Sequence, residues 1–255
     1  MRIPIIAANW KMNKTSGETR DFFTRFSEFP KPGPVEIVIC PPYPLLSLAA
    51  ELCQSGGLRL GAQNMYWETA GAFTGEVSPL LLRDLEVQYV IVGHSERRQT
   101  FAETDQNVSR KVKAAFAADL VPIVCVGETL QQRQSGRTEA VVEEQVAAAV
   151  GGLDPSQVRR LVIAYEPVWA IGSGLPANAG DAERVAIFIR RQIGNLFSLK
   201  VARDVRIQYG GSVKPENIAD FMSSAEIDGA LVGGASLDAA VFTAIIEAGL
   251  GVRAS

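Results

Sequence analysis

A glutamate that ends an apolar run is the residue of this sequence whose setting most clearly indicates chemistry. Residues 160–165 predict a buried strand, and Glu166 follows them directly and precedes Pro167. A residue before proline favours extended geometry, so we expect the Glu166 carboxylate to point off the carboxyl end of the strand. A carboxylate held in that position can act as a general base.

The segment after Glu166 has the composition of a lid over that base. The predicted lid consists of Pro167, Val168, Trp169, Ala170, Ile171, Gly172, Ser173 and Gly174. Pro167 is the predicted first hinge, and Gly172 and Gly174 form the second. The apolar residues between them would be exposed to water unless the loop closed over something, which favours a role as a cover.

Two other predicted strand ends carry a cation and an imidazole. Asn9 and Lys11 follow the first strand, and a lysine there is well placed to neutralise a phosphate or a developing oxyanion. His94, the only histidine, follows the fourth strand. If Ser95 opens a helix, its positive end would disfavour a second proton on the ring and keep the imidazole neutral. Glu96 is interpreted either as a brace for Lys11 or as half of a surface ion pair.

Glycine-rich turns at the last two strand ends predict an anion site. Gly210 and Gly211 precede Ser212, and Gly233 is followed by Gly234, each turn coming just before a predicted helix start. Glycines let backbone N–H groups approach an anion closely, and a helix N-terminus adds its positive dipole end. Either turn alone would also suit an ordinary tight turn, but both together favour phosphate binding at this end of the strands.

Eight β-like runs must position these residues. They cover residues 5–10, 36–40, 59–63, 88–92, 121–126, 161–165, 205–209 and 229–232. Helical spacing of apolar residues between them predicts parallel strands with helical crossovers. The α/β pattern has eight units and no early GxGxxG turn, so it favours a closed (β/α)8 barrel over an open sheet. No linker divides the sequence, and we expect residues 1–255 to form a single barrel domain.

Composition excludes several classes of function. Hydrophobic residues make up 47% of the 255 residues, the net charge is −3, and no apolar run approaches a membrane span. The absence of a cluster of lysines and arginines along the sequence argues against a nucleic-acid partner. Cys40, Cys53 and Cys125 are too far apart for a disulfide framework or a zinc site, and Cys125 is expected to be an apolar filler. The sequence opens without a basic leader, so we expect a cytoplasmic protein.

Several motifs together resemble the triosephosphate isomerase family. The motifs that carry the resemblance are residues 7–13, 93–98, 164–174, 209–213 and 229–237. They occur in the expected order over nearly the whole chain. The resemblance implies a TIM barrel that interconverts dihydroxyacetone phosphate and glyceraldehyde 3-phosphate through an enediolate, in glycolysis and gluconeogenesis, without metal or cofactor.

The resemblance also implies a role for each residue of the site. Glu166 would move a proton between two carbons, while neutral His94 polarises the carbonyl group. Lys11 and Asn9 would stabilise the oxyanion, and Glu96 would hold Lys11. The implied substrate-binding and phosphate-binding residues are Asn9, Lys11, Gly172, Ser212, Gly233 and Gly234.

A protruding loop predicts a second copy of the chain as a partner. Residues 63–76 resemble the family loop that enters the neighbouring subunit beside its active site, with Thr74 in its second half. A long surface loop is the simpler interpretation. Exposed Met65, Trp67 and Phe73 would, however, be a costly apolar patch on a monomer, so we expect a homodimer.

The sequence departs from the common family pattern in the lid and leaves some alternatives open. Leu175-Pro176 stands where a Lys-Thr pair is frequent, and Pro176 would narrow the freedom of the second hinge. The alternatives are a Schiff-base aldolase that uses Lys11, another aldose–ketose isomerase, and a non-catalytic barrel that binds a phosphometabolite.

Overall fold

Eight parallel strands close into a barrel in chain order in this computed structural model, which describes residues 2–29, 33–171 and 177–252. The strands are β1 (Ile5–Asn9), β2 (Glu36–Cys40), β3 (Arg59–Ala62), β4 (Tyr89–Val92), β5 (Val121–Val126), β6 (Val162–Tyr165), β7 (Arg206–Tyr209) and β8 (Gly229–Val232). Strand β1 pairs with both β2 and β8, which closes the ring. The predicted eight-stranded α/β barrel is confirmed, whereas the single-domain boundary at 1–255 stays a prediction.

Helices surround the barrel. Within the described residues the α-helices are α1 (Ser16–Ser27), α2 (Leu46–Gly56), α3 (Pro79–Asp84), α4 (Ser95–Thr100), α5 (Asp105–Ala117), α6 (Leu130–Gln134), α7 (Thr138–Val150), α8 (Pro155–Arg160), α9 (Ala179–Leu196), α10 (Leu199–Asp204), α11 (Ile218–Met222) and α12 (Ala239–Gly251). Local sequence sets several starts. Thr15 and Glu18 form a capping box on α1, and Asp154 caps α8, which has proline at its first position.

Predicted and observed strand ends differ by one residue in five places. The predicted strands that start at residues 161 and 205 begin one residue later, because Leu161 and Val205 are the C-caps of α8 and α10. Both caps are apolar and extended, with φ of −60° and −65°. Their side chains and backbone angles resemble strand residues, so the sequence pattern alone cannot place the boundary.

Alternating side chains of the strands fill two apolar layers. On β1, Ile5 and Ala7 belong to the cluster inside the barrel, whereas Ile6 and Ala8 belong to the larger cluster between strands and helices. Burial on both faces explains why the strands are continuous apolar runs rather than alternating ones. A helix long and apolar enough to span a bilayer does not occur in the part of the chain that the structure describes.

The loop between β3 and α3 carries an aromatic cluster. The ring of Tyr66 lies 4.1 Å from that of Trp67 and 4.6 Å from that of Phe73, between centroids. Phe73 is 41% exposed and Trp67 is partly buried, but Met65 is completely buried. The expectation that Met65 is exposed was therefore wrong, because Met65 packs into the core beneath the loop.

Candidate active site

A cavity of about 260 Å³ opens at the carboxyl ends of the strands, and most of the predicted site residues line it. The predicted residues that line it are Asn9, Lys11, His94, Glu166, Ser212, Gly233 and Gly234. Glu96 does not line the cavity, but it forms an ion pair with Lys11. Gly172, Ser173 and Gly174 of the predicted lid, together with Leu175 and Pro176, lie outside the described residues.

Glu166 is the one acid among the described residues that line the cavity. The residue is only 2% exposed, and its Oε2 accepts a hydrogen bond of 2.9 Å from the backbone N–H of Ser95. Its Oε1 lies 3.1 Å from Nε2 of His94, but the orientation of the ring does not make this contact a hydrogen bond, and Oε1 has no other donor among the described residues. A buried acceptor without a donor is costly in a folded protein, and such atoms often mark functional sites. Oε1 is thus available to receive a proton.

His94 occupies the N-terminal cap of α4, as the sequence suggested. Its Nδ1 accepts a hydrogen bond of 3.2 Å from the backbone N–H of Glu96. This contact assigns Nδ1 as the unprotonated nitrogen, so a neutral ring carries its hydrogen on Nε2. His94 is 6% exposed, and the Nε2 side of the ring lies toward Glu166. The imidazole can therefore donate one hydrogen bond beside the glutamate.

Lys11 is held by its backbone and by an acid. Its φ of +53° is unusual for a residue with a side chain, and its N–H donates to Oδ1 of Asn9. Gln63 donates to the carbonyl oxygen of Lys11, which supports this conformation. The ammonium group lies 2.5 Å from a carboxylate oxygen of Glu96. Glu96 therefore contacts Lys11, but its side chain is 49% exposed, and its role as a brace for Lys11 stays a prediction.

The two glycine turns offer free backbone donors to the cavity. Ser212, Gly233 and Gly234 donate no backbone hydrogen bond within the parts of the chain that are described. A 3-10 helix (Gly234–Leu237) begins at the second turn, so its N-terminus adds a positive dipole end. Three N–H groups and the Lys11 ammonium together form an environment suited to a phosphate group.

The first half of the predicted lid packs on the barrel rim. A 3-10 helix (Val168–Ala170) follows Pro167, and the indole N–H of Trp169 donates a 2.9 Å hydrogen bond to Glu128. The Ser212 hydroxyl donates to the carbonyl oxygen of Ala170. Trp169 is partly buried and Ala170 is fully buried, so this half of the segment is not an exposed apolar loop.

A buried ion network supports the loop that carries His94. Glu103 accepts from the ammonium of Lys111 at 2.9 Å and from Arg97 at 2.6 Å, and it faces the N–H of Gly93. Burial alone would raise the pKa of Glu103, but the nearby Lys111 and Arg97 outweigh it and lower that pKa. Sequence reasoning missed this network; its only signal was a lysine among the apolar positions of α5.

Two residues of the cavity contribute in ways that the sequence-based predictions did not include. Lys214 lines the cavity as a second cation, and its position two residues after Ser212 was an available signal. Gly210 lies against Glu166: a Cβ at position 210 would be 2.8 Å from Cγ of Glu166. Glycine is therefore required at this position by close packing.

Cys125 is fully buried, and burial followed by the nearby Glu166 charge raises the pKa of its thiol well above the ordinary value. A thiol in this state is a poor nucleophile. Among residues 2–29, 33–171 and 177–252, three or more His, Cys, Asp or Glu side chains do not cluster as they would around a metal ion. That the reaction needs no metal or cofactor stays a prediction.

The chain is similar to known proteins over nearly its whole length. The family model described as triosephosphate isomerase matches residues 4–249 of the chain. The chain is 52% identical to the triosephosphate isomerase of Dictyoglomus turgidum over 248 residues, which cover 97% of the chain and 100% of the relative. It is also 52% identical to the enzymes of Moorella thermoacetica and Carboxydothermus hydrogenoformans, with 97% of the chain and 99% of each relative covered.

Proposed function

Because the chain belongs to the triosephosphate isomerase family, we propose that the cavity at the carboxyl ends of its strands is the active site and that Glu166 is the base. The reaction interconverts dihydroxyacetone phosphate and D-glyceraldehyde 3-phosphate, a step of glycolysis and gluconeogenesis. It moves a proton between two neighbouring carbons through an enediolate. The site must therefore provide a base, a donor for the developing oxyanion, and a hold on the phosphate.

The proton transfer is assigned to Glu166 on one observation, its buried Oε1 without a donor. That oxygen takes a proton from the carbon next to the substrate carbonyl; the C–H electrons form a carbon–carbon double bond, and the π electrons of the carbonyl group move to its oxygen. A proton then passes from the hydroxyl group on the first carbon to that oxygen. The same carboxyl group returns its proton to the neighbouring carbon as the double bond is lost and the first carbon becomes the new carbonyl carbon. The bond from the Ser95 N–H to Oε2 holds the carboxylate during this exchange.

Stabilisation of the enediolate is assigned to His94, Lys11 and Asn9. The Nε2–H of neutral His94 donates to the substrate oxygen, which would occupy the space now next to Oε1 of Glu166. Lys11 adds a positive charge close to that oxygen, and its ion pair with Glu96 limits the positions it can adopt. Donors that are already in place when negative charge develops lower the barrier without further reorganisation.

Phosphate binding is assigned to the backbone N–H groups of Ser212, Gly233 and Gly234, with Lys11 and the predicted contribution of Gly172. These groups contact a part of the substrate that does not react. Binding energy from a remote group can be used to close a lid and position the reacting carbons. A closed apolar lid would also exclude water from the enediolate, which otherwise favours side reactions.

Glu166→Asp tests the assignment of the base. The shorter side chain withdraws the carboxylate by about 1 Å, which we expect to lower kcat roughly 100-fold while leaving the fold intact. A coupled assay started with glyceraldehyde 3-phosphate measures kcat and KM. Glu247→Asp makes the same chemical change at an exposed position on α12 and should leave both constants unchanged. Normal turnover of Glu166→Asp would remove Glu166 as the base.

Borohydride trapping and the coupled assay together separate two of the alternatives considered from the sequence. A Schiff-base aldolase would form an imine between Lys11 and dihydroxyacetone phosphate, and borohydride would then trap a covalent adduct. We expect no adduct by mass spectrometry, because the Lys11 ammonium is ion-paired with Glu96. A non-catalytic barrel would bind the substrate without turnover in the coupled assay.

We further propose that the chain forms a homodimer through the loop between β3 and α3. Phe73 and Thr74 are exposed on this loop, and the packing of Phe73 against Tyr66 makes the loop more rigid. A rigid, partly apolar protrusion suits insertion into a second copy of the chain. Gln63 at the start of the loop donates to the Lys11 carbonyl, which links the loop to the active site.

Sedimentation velocity tests the dimer. We expect the unmodified chain to sediment as a dimer and Thr74→Arg to shift it to the monomer, because an unpaired charge would be buried at the contact. Gln131→Arg, at an exposed position on α6, adds the same charge elsewhere and should leave the dimer intact. A monomer for the unmodified chain, or dimers for Thr74→Arg, would contradict the assignment. We also propose a cytoplasmic location, which cell fractionation followed by the activity assay would check.

A further inference from the structure

The mouth of the barrel opposite the active site holds a cavity of about 670 Å³ with an unusual lining. Among the described residues, five arginines line it, together with two acids, Glu36 and Asp204. The arginines are Arg2, Arg159, Arg160, Arg203 and Arg206. They precede β1, end α8 and α10, and begin β7, so they meet only because the barrel closes. This group of five is called the arginine basin below.

Two of the five arginines form the floor of the basin and are already bound. Arg206 donates to a carboxylate oxygen of Glu36 and to the hydroxyl of Tyr89. Arg2 pairs with Asp228 at 2.7 Å and also donates to two backbone carbonyl oxygens. Their side chains are 17% and 21% exposed. These two side chains close the end of the barrel and have little capacity for a ligand.

The other three arginines form the rim of the basin, and each has N–H groups that are not used in an ion pair. Among the described residues, Arg159 makes a single ion pair, with Asp204 at 2.5 Å, and Arg160 makes one, with Asp119 at 2.7 Å. Arg203 is exposed and has no carboxylate partner among the described residues. A guanidinium group has five N–H donors, so each rim arginine can still bind an oxyanion.

We propose that the arginine basin binds a small anion with several oxyanion groups, of the kind that a di- or triphosphate presents. Three guanidinium groups that surround one cavity match several oxyanions better than one, because each can form a bidentate pair. The volume lies in the range of small-molecule sites, roughly 300–1,000 Å³. The whole chain carries a net charge of −3, so attraction to this mouth is local rather than a property of the molecule.

Titration calorimetry with inorganic tripolyphosphate tests the proposal. The triose phosphates are kept at equilibrium and in excess, so that the catalytic cavity is occupied and tripolyphosphate reports on other sites. We expect binding at low salt that weakens as ionic strength rises. The variant Arg159→Gln, Arg160→Gln, Arg203→Gln should bind at least about 10-fold more weakly, because it loses several charge-assisted hydrogen bonds. Orthophosphate should bind the unmodified chain more weakly than tripolyphosphate does.

A matched variant separates the basin from general charge effects. Arg20→Gln, Lys113→Gln, Arg137→Gln removes the same number of positive charges from exposed positions away from the basin and should bind tripolyphosphate normally. Backbone amide shifts in NMR spectra should change at residues 159–160 and 203–206. Equal affinity of the two variants, equal affinity for orthophosphate and tripolyphosphate, or shifts confined to other surfaces would each overturn the proposal.

Discussion

Replacing Gly210 by alanine tests how closely the barrel wall constrains the base. The added Cβ would lie 2.8 Å from Cγ of Glu166 and 3.3 Å from the carbonyl oxygen of Tyr165. Non-bonded carbon atoms prefer separations of about 3.5–4.0 Å, so the two groups must move apart by roughly 1 Å. The Gly210 N–H is bound to the Tyr165 carbonyl at 2.7 Å, which resists movement of the backbone. The Glu166 side chain is then the part that shifts.

A shift of about 1 Å in a catalytic group typically lowers turnover by roughly 100-fold. We therefore expect Gly210→Ala to lower kcat by that factor, with a smaller change in KM, because the phosphate donors at Ser212 and Gly233 are unaltered. The coupled assay measures both constants. Overpacking should also cost about 1–3 kcal/mol of stability, which urea denaturation would report. Gly17→Ala is the control for replacing glycine by alanine, because no atom lies within 4 Å of the added carbon at that position.

A double-mutant cycle refines this test. If alanine at position 210 acts by displacing the Glu166 side chain, its effect should change when Glu166 is shortened in the Glu166→Asp background. Non-additive losses in kcat would show that the two residues act through one contact. A folded Gly210→Ala enzyme with normal kcat would refute the reasoning, since the base would then tolerate displacement.

Two further predictions concern His94 and Glu103. His94→Asn should lower kcat at least about 100-fold in the coupled assay, because one positioned oxyanion donor is lost, and an unchanged rate would remove its role as electrophile. Glu103→Gln should lower the free energy of unfolding by roughly 3–5 kcal/mol at pH 7, because Lys111 and Arg97 keep their charges without a buried partner. The pKa of Glu103 is lower in the folded protein than in the unfolded chain, where it is about 4.3. The carboxylate therefore stabilises the fold fully above the unfolded-state pKa, and this stabilisation is lost as pH falls through the folded-state pKa. Urea denaturation at several pH values should therefore show a stability difference between the two proteins that narrows below about pH 4.3, and a constant difference would contradict this account.

Much of the active site could be predicted from the sequence because strand ends share one location. In a closed parallel barrel all carboxyl ends of strands meet at one rim, so Lys11, His94 and Glu166 had to converge once the fold was recognised. The position of His94 at the N-terminal cap of α4 was also predictable, because the sequence suggested that Ser95 opens a helix. By contrast, Met65 was misplaced: an apolar residue in a long loop gives no sign of whether the loop lies over the core.

The sequence by itself determined the barrel, the order of its strands and the residues that line the candidate site, since these follow from local periodicity and from motifs at strand ends. Only the tertiary structure decided which distant residues touch. The buried Glu103–Lys111 pair, the approach of Gly210 to Glu166 and the arginine basin all depend on contacts across neighbouring elements. Arg2 and Arg206 are far apart along the chain, and the basin exists because ring closure places them at one mouth. Such contacts arise from packing in three dimensions, which local pattern does not encode.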